Sequence, residues 1–105
     1  MKNVDKGFYA RADAHIFLSN EQISPAVKPG EVSASFMYSV ARFNAWISAR
    51  GFNSGVEMQQ SKQKMIDYFL AEYRQMREEN LDDYSKNFDS HMQPIQQWKR
   101  LELGC

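Results

Sequence analysis

The sequence predicts an all-α protein from three observations. Only 3 Pro and 5 Gly occur among 105 residues, and five of these eight lie in two short segments, residues 24–30 and residues 50–55. Between those two breaks, apolar residues recur at helical spacing. Hydrophobic residues make up 43% of the chain, which is too rich for a disordered protein. We therefore expect one domain over residues 1–105: a three-helix bundle-like fold, formed by a helical hairpin and a long third helix. Its ordered core should span about residues 5–84, and residues 85–105 should form a short helical extension.

The first helix is expected from about Asp5 to Ser24. Asp5 is a residue type that caps the free N–H groups at a helix N-terminus, and Pro25 disfavours helical geometry at the residue before it. The spacing places these residues on one face: Phe8, Ala12, Ile16, Ser19 and Ile23. Asp13 and Asn20 border that face on one side.

The second helix is expected from about Glu31 to Arg50, as the central helix of the domain. Between those two ends the only ionic residue is Arg42. One side carries the large apolar residues Val32, Phe36, Val40, Phe43 and Ile47, and the opposite side carries small residues that permit close helix packing. A membrane-spanning helix is disfavoured, because Arg42, Asn44 and several serines interrupt this segment.

The third helix is expected to begin at Ser54 and to continue to Asn80 or beyond. Ser54 and Glu57 have the spacing of a reciprocal capping box. The predicted apolar stripe contains Met58, Met65, Phe69, Tyr73 and Met76, and it is widened by Ile66, Leu70, Leu81 and Tyr84. A short last helix is expected over residues 94–101, because proline at position 94 suits a first helical turn.

The sequence offers little that would support catalysis or cofactor binding. Neither histidine, His15 or His91, has a second ligand at helical spacing, so we predict no metal site. Glycine-rich phosphate loops and nucleophile elbows are missing, and we predict no cofactor and no catalytic residues. The terminal thiol of Cys105 has no base nearby in sequence and is expected to be inert. With 13 basic and 13 acidic residues, the chain lacks the basic excess of a nucleic-acid-binding protein.

Four polar residues next to the apolar stripes are the candidate binding site: Asp13, Asn20, Arg42 and Asn44. Polar groups in such positions need partners, because burying them unpaired costs free energy. If the first two helices form an antiparallel hairpin centred between residues 27 and 28, Asp13 lies level with Arg42. A structural ion pair is the simpler interpretation, and a ligand- or partner-binding site is the alternative.

Several segments together resemble a known family. In the first two helices they are FYARAD at 8–13, NEQ at 20–22, EVSASFMY at 31–38 and ARFNA at 41–45. DYF at 67–69 and the segment 76–84 are similar to a last helix of the same family. The chain thus resembles, over about residues 7–84, the small proteobacterial proteins of unknown function DUF3144. The resemblance implies a cytoplasmic, mostly helical bacterial protein without an assigned activity, cofactor or catalytic residue. His15, Ser19 and residues 85–105 depart from the family pattern.

Three classes of function remain open from the sequence. The favoured one is a non-enzymatic helical module for protein–protein interaction, because the second helix is apolar or small around most of its circumference. A small-molecule-binding bundle is the alternative, with a polar Asp13/Arg42 site lined by Tyr9, Tyr38 and Trp46. An enzyme is the least favoured class, because only the region of Asp13, Arg42 and His15 offers polar groups that could converge.

We expect the working unit to be a homodimer in the bacterial cytoplasm. The second and third helices should form the interface, because a small three-helix core cannot cover both sides of the second helix. A copy of the third helix could pack against its equivalent in antiparallel orientation. No apolar stretch precedes Phe8, so we expect no secretory signal, no membrane association and a reducing compartment.

Overall fold

The computed structural model describes residues 3–93, and all regular secondary structure in that range is helical. The helices are α1 (Phe8–Gln22), α2 (Pro29–Ala49), α3 (Gly55–Gln60), α4 (Lys62–Lys86) and α5 (Phe88–His91). The predicted all-α class is confirmed. The helix predicted at 94–101 lies outside the described residues.

Helix α1 begins three residues later than predicted, and Asp5 organises the turn before it. The Asp5 Oδ2 atom accepts a hydrogen bond from the Gly7 N–H (3.1 Å), and Oδ1 accepts one from the Arg11 guanidinium (2.7 Å). The helix ends at Gln22, and the next residue, Ile23, takes an extended conformation (φ −76°, ψ 133°). Asp5 thus fixes the entry to α1 from outside the helix.

The connection between α1 and α2 is a short turn that reverses the chain. The Ser24 hydroxyl oxygen accepts hydrogen bonds from the N–H groups of Ala26 (3.2 Å) and Val27 (3.1 Å). Helix α2 then begins with Pro29, whose missing N–H costs nothing in a first turn. The Glu31 Oε1 atom accepts a hydrogen bond from the Lys28 N–H at 2.9 Å. These local hydrogen bonds explain why the chain reverses between Pro25 and Pro29, where the sequence predicts a turn.

The predicted third helix is two helices that meet at Ser61. The Ser54 hydroxyl oxygen accepts the Glu57 N–H at 3.1 Å, which confirms the N-terminal cap of α3. At Ser61 the backbone N–H donates to the Met58 carbonyl, three residues back (3.0 Å), instead of four residues back. This tighter turn interrupts the helix before α4 begins at Lys62.

Packing divides the described chain into a hairpin and an arm. In the hairpin, α1 packs against α2, and in the arm, α3 and α5 pack against α4. No other pair of helices within residues 3–93 packs as extensively as these. Val32 is the only buried residue of that range. The described chain therefore contains the predicted hairpin and long helix, whereas the predicted three-helix bundle is not confirmed.

The end of the arm is held by one histidine. The ring of His91 stacks on Tyr84 with a centroid distance of 4.1 Å, and its Nε2 atom lies 3.0 Å from the Asp83 Oδ2 atom. Helical structure thus continues past Tyr84, where the sequence pattern weakens, and α5 folds back against the end of α4.

Candidate functional site

The register of the hairpin separates the two residues expected to form its polar pair. Because α1 ends at residue 22 and α2 begins at residue 29, the hairpin is centred between residues 25 and 26. The contact between the His15 and Phe36 rings, with centroids 6.1 Å apart, agrees with that centre. It places Asp13 level with Tyr38, and Arg42 level with Tyr9. The prediction assumed a centre two residues later in the chain, and it therefore misplaced the partner of Asp13 by one helical turn.

The ion pair predicted between Asp13 and Arg42 is wrong in consequence. Both residues are exposed, and no salt bridge within residues 3–93 joins them. A different ion pair holds the start of α1: the Arg11 Nη2 atom lies 2.7 Å from the Asp5 Oδ1 atom. That hydrogen bond lowers the pKa of Asp5 below its ordinary value and raises the pKa of Arg11.

The two asparagines of the candidate set lie near opposite ends of the hairpin. Asn20 is half-buried near the turn, and its Nδ2 atom is buried without a hydrogen-bond partner within the described residues. Asn44 is half-buried near the other end of α2. In the observed register Asn20 lies level with Glu31 of α2. Asn44 lies 13 residues further along α2 than Glu31, a distance of about 20 Å. The structure therefore does not bring the four candidate residues into one site.

Aromatic residues expected to line a ligand cavity are open to solvent in the single chain. Tyr38 is 66% exposed and Trp46 is 57% exposed. Trp46 instead contacts neighbours on its own helix: its ring lies 5.6 Å from that of Phe43 and 5.2 Å from the Arg50 guanidinium. Such exposed rings do not enclose a small molecule.

A continuous apolar surface occupies the C-terminal half of α2. Helix α1 covers the first half of the α2 stripe, where Val32 is buried and Phe36 is half-buried. With 15 residues against 21, α1 starts level with residue 43, so Val40 and Phe43 lie opposite its first turn and residues 44–49 lie beyond it. We define the exposed side chains in this half as the α2 surface: Val40, Phe43, Trp46 and Ile47.

A second apolar surface runs along α4. Of the predicted stripe, Met65, Phe69 and Met76 are half-buried, whereas Tyr73 is exposed. The residues that widen the stripe are exposed as well, and with Tyr73 they define the α4 surface: Ile66, Leu70, Tyr73, Leu81 and Tyr84. Their spacing of three or four residues, with one longer step, extends the surface over 19 residues, or about 27 Å of helix. Helical spacing identified these positions, but it could not show which of them the fold leaves exposed.

The two apolar surfaces lie on segments of opposite charge. Residues 32–50 of α2 and its C-terminal cap contain two arginines and no acidic residue. Residues 72–86 of α4 contain five acidic and three basic residues, which gives a net charge of −2. This difference makes the α2 surface electrostatically complementary to the C-terminal part of α4.

Other kinds of site are not found in the part of the chain that the structure describes. No group of three or more His, Cys, Asp or Glu residues there has the geometry to hold a metal ion. Among the helices of residues 3–93, none combines the length and the hydropathy needed to span a lipid bilayer. The exposed apolar surfaces are therefore the features that a functional account must explain.

Comparison with known proteins agrees with the sequence resemblance. The sequence model of the family described as "Protein of unknown function (DUF3144)" matches residues 8–85. The chain is also similar to a protein from Shewanella sp., described as "NMR structure of the protein NB7890A", with 43% sequence identity and a TM-score of 0.71. That similarity covers 86% of this chain and 95% of the Shewanella chain. No curated protein gave a significant match.

Proposed function

The chain belongs to the DUF3144 family of proteins of unknown function, and we propose that it is a non-enzymatic helical module for protein–protein interaction whose working unit is a homodimer. The observation that carries this proposal is the paired exposure of the α2 and α4 surfaces. Large exposed apolar patches are uncommon on monomeric soluble proteins and are typical of binding surfaces. The single cysteine of the chain is consistent with the reducing cytoplasm, where we propose that the module works.

The energetics of the single chain support self-association. Ordering a helical backbone costs about 1–2 kcal/mol per residue, and burial of apolar side chains is the main term that offsets this cost. Within residues 3–93 only Val32 is buried, and nineteen large hydrophobic side chains are exposed. A second copy is always present at the same concentration and presents the same apolar surfaces. Association between copies therefore offers the burial that the separate chain lacks.

Light scattering after size exclusion, over a series of micromolar concentrations, tests the proposal. We expect a mass of twice the 12.3 kDa of the chain. Because Leu70 is 62% exposed on the α4 surface, Leu70→Glu should shift the protein towards the single-chain mass. Leu18, which is 55% exposed on α1 and outside both surfaces, provides a matched control. Leu18→Glu should leave the mass unchanged, and a 12.3 kDa species that persists on concentration would reject the dimer.

A further inference from the structure

We infer that the α2 surface of each chain is covered by the α4 surface of a second copy, so that two chains complete each other's three-helix bundles. The inference rests on the proposed homodimer and names its interface. It differs from the symmetric pairing of two third helices that the sequence alone predicts. Its basis is the separation of hairpin and arm within one chain, together with the area and charge of the two surfaces.

The connection between α2 and α4 is longer than the usual loop between neighbouring helices of a bundle. Residues 50–61 form a turn, the capped helix α3 and the tight step at Ser61 before α4 begins. Antiparallel neighbours in helical bundles are usually joined by loops of about 2–8 residues. Among the helices of residues 3–93, α2 packs extensively only against α1. The missing third helix can therefore be supplied by an identical element of another chain, as in domain swapping.

The area of the two surfaces suits a stable dimer. The nine side chains of the α2 and α4 surfaces are between 39% and 62% exposed. With aromatic side chains of roughly 150–250 Å² and smaller aliphatic ones, these surfaces present on the order of 800 Å² of apolar area per chain. A reciprocal interface uses both surfaces of both chains, so it would bury about 1,600 Å² in total, the size of a standard specific interface.

Charge favours the pairing of α2 with α4 over the pairing of like helices. The arginines of the α2 segment face a net charge of −2 when the C-terminal part of α4 packs nearby. An antiparallel pair of α4 helices centred at residue 75 instead places Glu72 level with the partner's Glu78, and Asp67 level with the partner's Asp83. Like charges placed together across an interface disfavour that arrangement. Two α2 helices would likewise bring arginines together without an acidic residue between 32 and 50.

An isotope-filtered NMR experiment tests which helices meet. Labelled and unlabelled full-length chains are mixed, unfolded together and refolded, so that nuclear Overhauser effects between the two kinds of chain report intermolecular contacts alone. We expect such effects between the rings of Phe43 or Trp46 and the side chains of Leu70 or Tyr73. If the protein has the dimer mass but intermolecular effects occur only between the α4 helices of the two chains, this inference is wrong and the homodimer stands. A single-chain mass without intermolecular effects would overturn both.

Charge reversal provides a second test in the intact chain. Arg42→Glu with Arg50→Glu changes the α2 segment from a net charge of +2 to −2, and Glu78→Lys with Asp82→Lys changes the α4 segment from −2 to +2. Each pair of substitutions should raise the dimer dissociation constant by about tenfold or more, and the two pairs together should restore it. Glu21→Lys on α1 is the control and should leave the constant unchanged. The inference is wrong if the combined variant dissociates as readily as either pair alone.

Discussion

Val32 is the residue on which the packing of the hairpin is centred. It is 5% exposed, and no other residue within 3–93 is buried. Val32→Ala removes apolar contact area and leaves a small cavity, so it should lower the free energy of unfolding by about 1–3 kcal/mol. Val56 is 72% exposed on α3, and Val56→Ala should change the stability by less than about 0.5 kcal/mol. Chemical denaturation of the two variants measures this difference, and equal losses would mean that the hairpin is not packed around Val32.

The ion pair at the entry to α1 gives the structure a titration signature. The hydrogen bond from Arg11 lowers the pKa of Asp5, with a smaller contribution from the Gly7 N–H. Because the folded-state pKa is lowered, the pair stabilises the fold at pH values above the ordinary carboxyl pKa. That stabilisation is lost as the pH falls through the lowered value. Arg11→Gln should therefore raise the pKa of Asp5 towards its ordinary value in an NMR titration of the side-chain carboxyl.

Arg74 provides the control for this titration. It forms an exposed pair with Glu78 at 2.9 Å on α4, so Arg74→Gln should leave the pKa of Asp5 unchanged. If Arg11→Gln also leaves that pKa unchanged, Asp5 is not held by Arg11 in solution.

Helix α3 depends on its N-terminal cap. The Ser54 hydroxyl oxygen accepts the Glu57 N–H, and the six-residue helix has few other local interactions to hold it. Ser54→Ala should destabilise the protein by about 1 kcal/mol, whereas Ser54→Asp should retain the stability. Ser39 lies inside α2 and is exposed, so Ser39→Ala serves as the control. Thermal unfolding of the three variants checks the order, and an unchanged midpoint for Ser54→Ala would contradict the role of the cap.

The elements were largely predictable because their boundaries depend on local chemistry. Pro25 and Pro29 mark the turn between α1 and α2, and Ser54 marks the start of α3. The interruption at Ser61 was not predictable, since it follows from a shift of one backbone hydrogen bond rather than from a helix-breaking residue. The partner of Asp13 was missed for a related reason. A hairpin centred two residues earlier moves its facing partner by a full helical turn, and apolar periodicity does not determine that centre.

The candidate site was less predictable than the helices. Helical spacing identified the apolar stripes of α2 and α4, but exposure depends on which other helix covers each part of a stripe. Phe36 and Phe43 belong to the same stripe, yet α1 covers the first and leaves the second 60% exposed. Their different environments follow from the length of α1 and from its register on α2, which places Phe43 opposite the first residue of α1. Both are properties of tertiary packing, which a single sequence does not state directly.

At the scale of the whole molecule, we propose that two chains fold by associating. In the single chain, hairpin and arm expose their apolar surfaces, and each surface has the size and charge to cover the other between copies. If association supplies most of the buried area, unfolding separates the chains. The stability must then depend on the protein concentration. A monomeric helical protein would show no such dependence.

The denaturant midpoint, measured at a series of protein concentrations, tests most directly whether folding depends on association of the two chains. Circular dichroism follows the loss of helix while the chain concentration is varied from about 1 to 100 μM. A dimer with a dissociation constant in the micromolar range is partly dissociated at these concentrations. We expect a midpoint that rises steadily with protein concentration and a single transition in which helix and dimer mass are lost together. A midpoint independent of concentration, with the helices intact at the 12.3 kDa mass, would contradict this expectation.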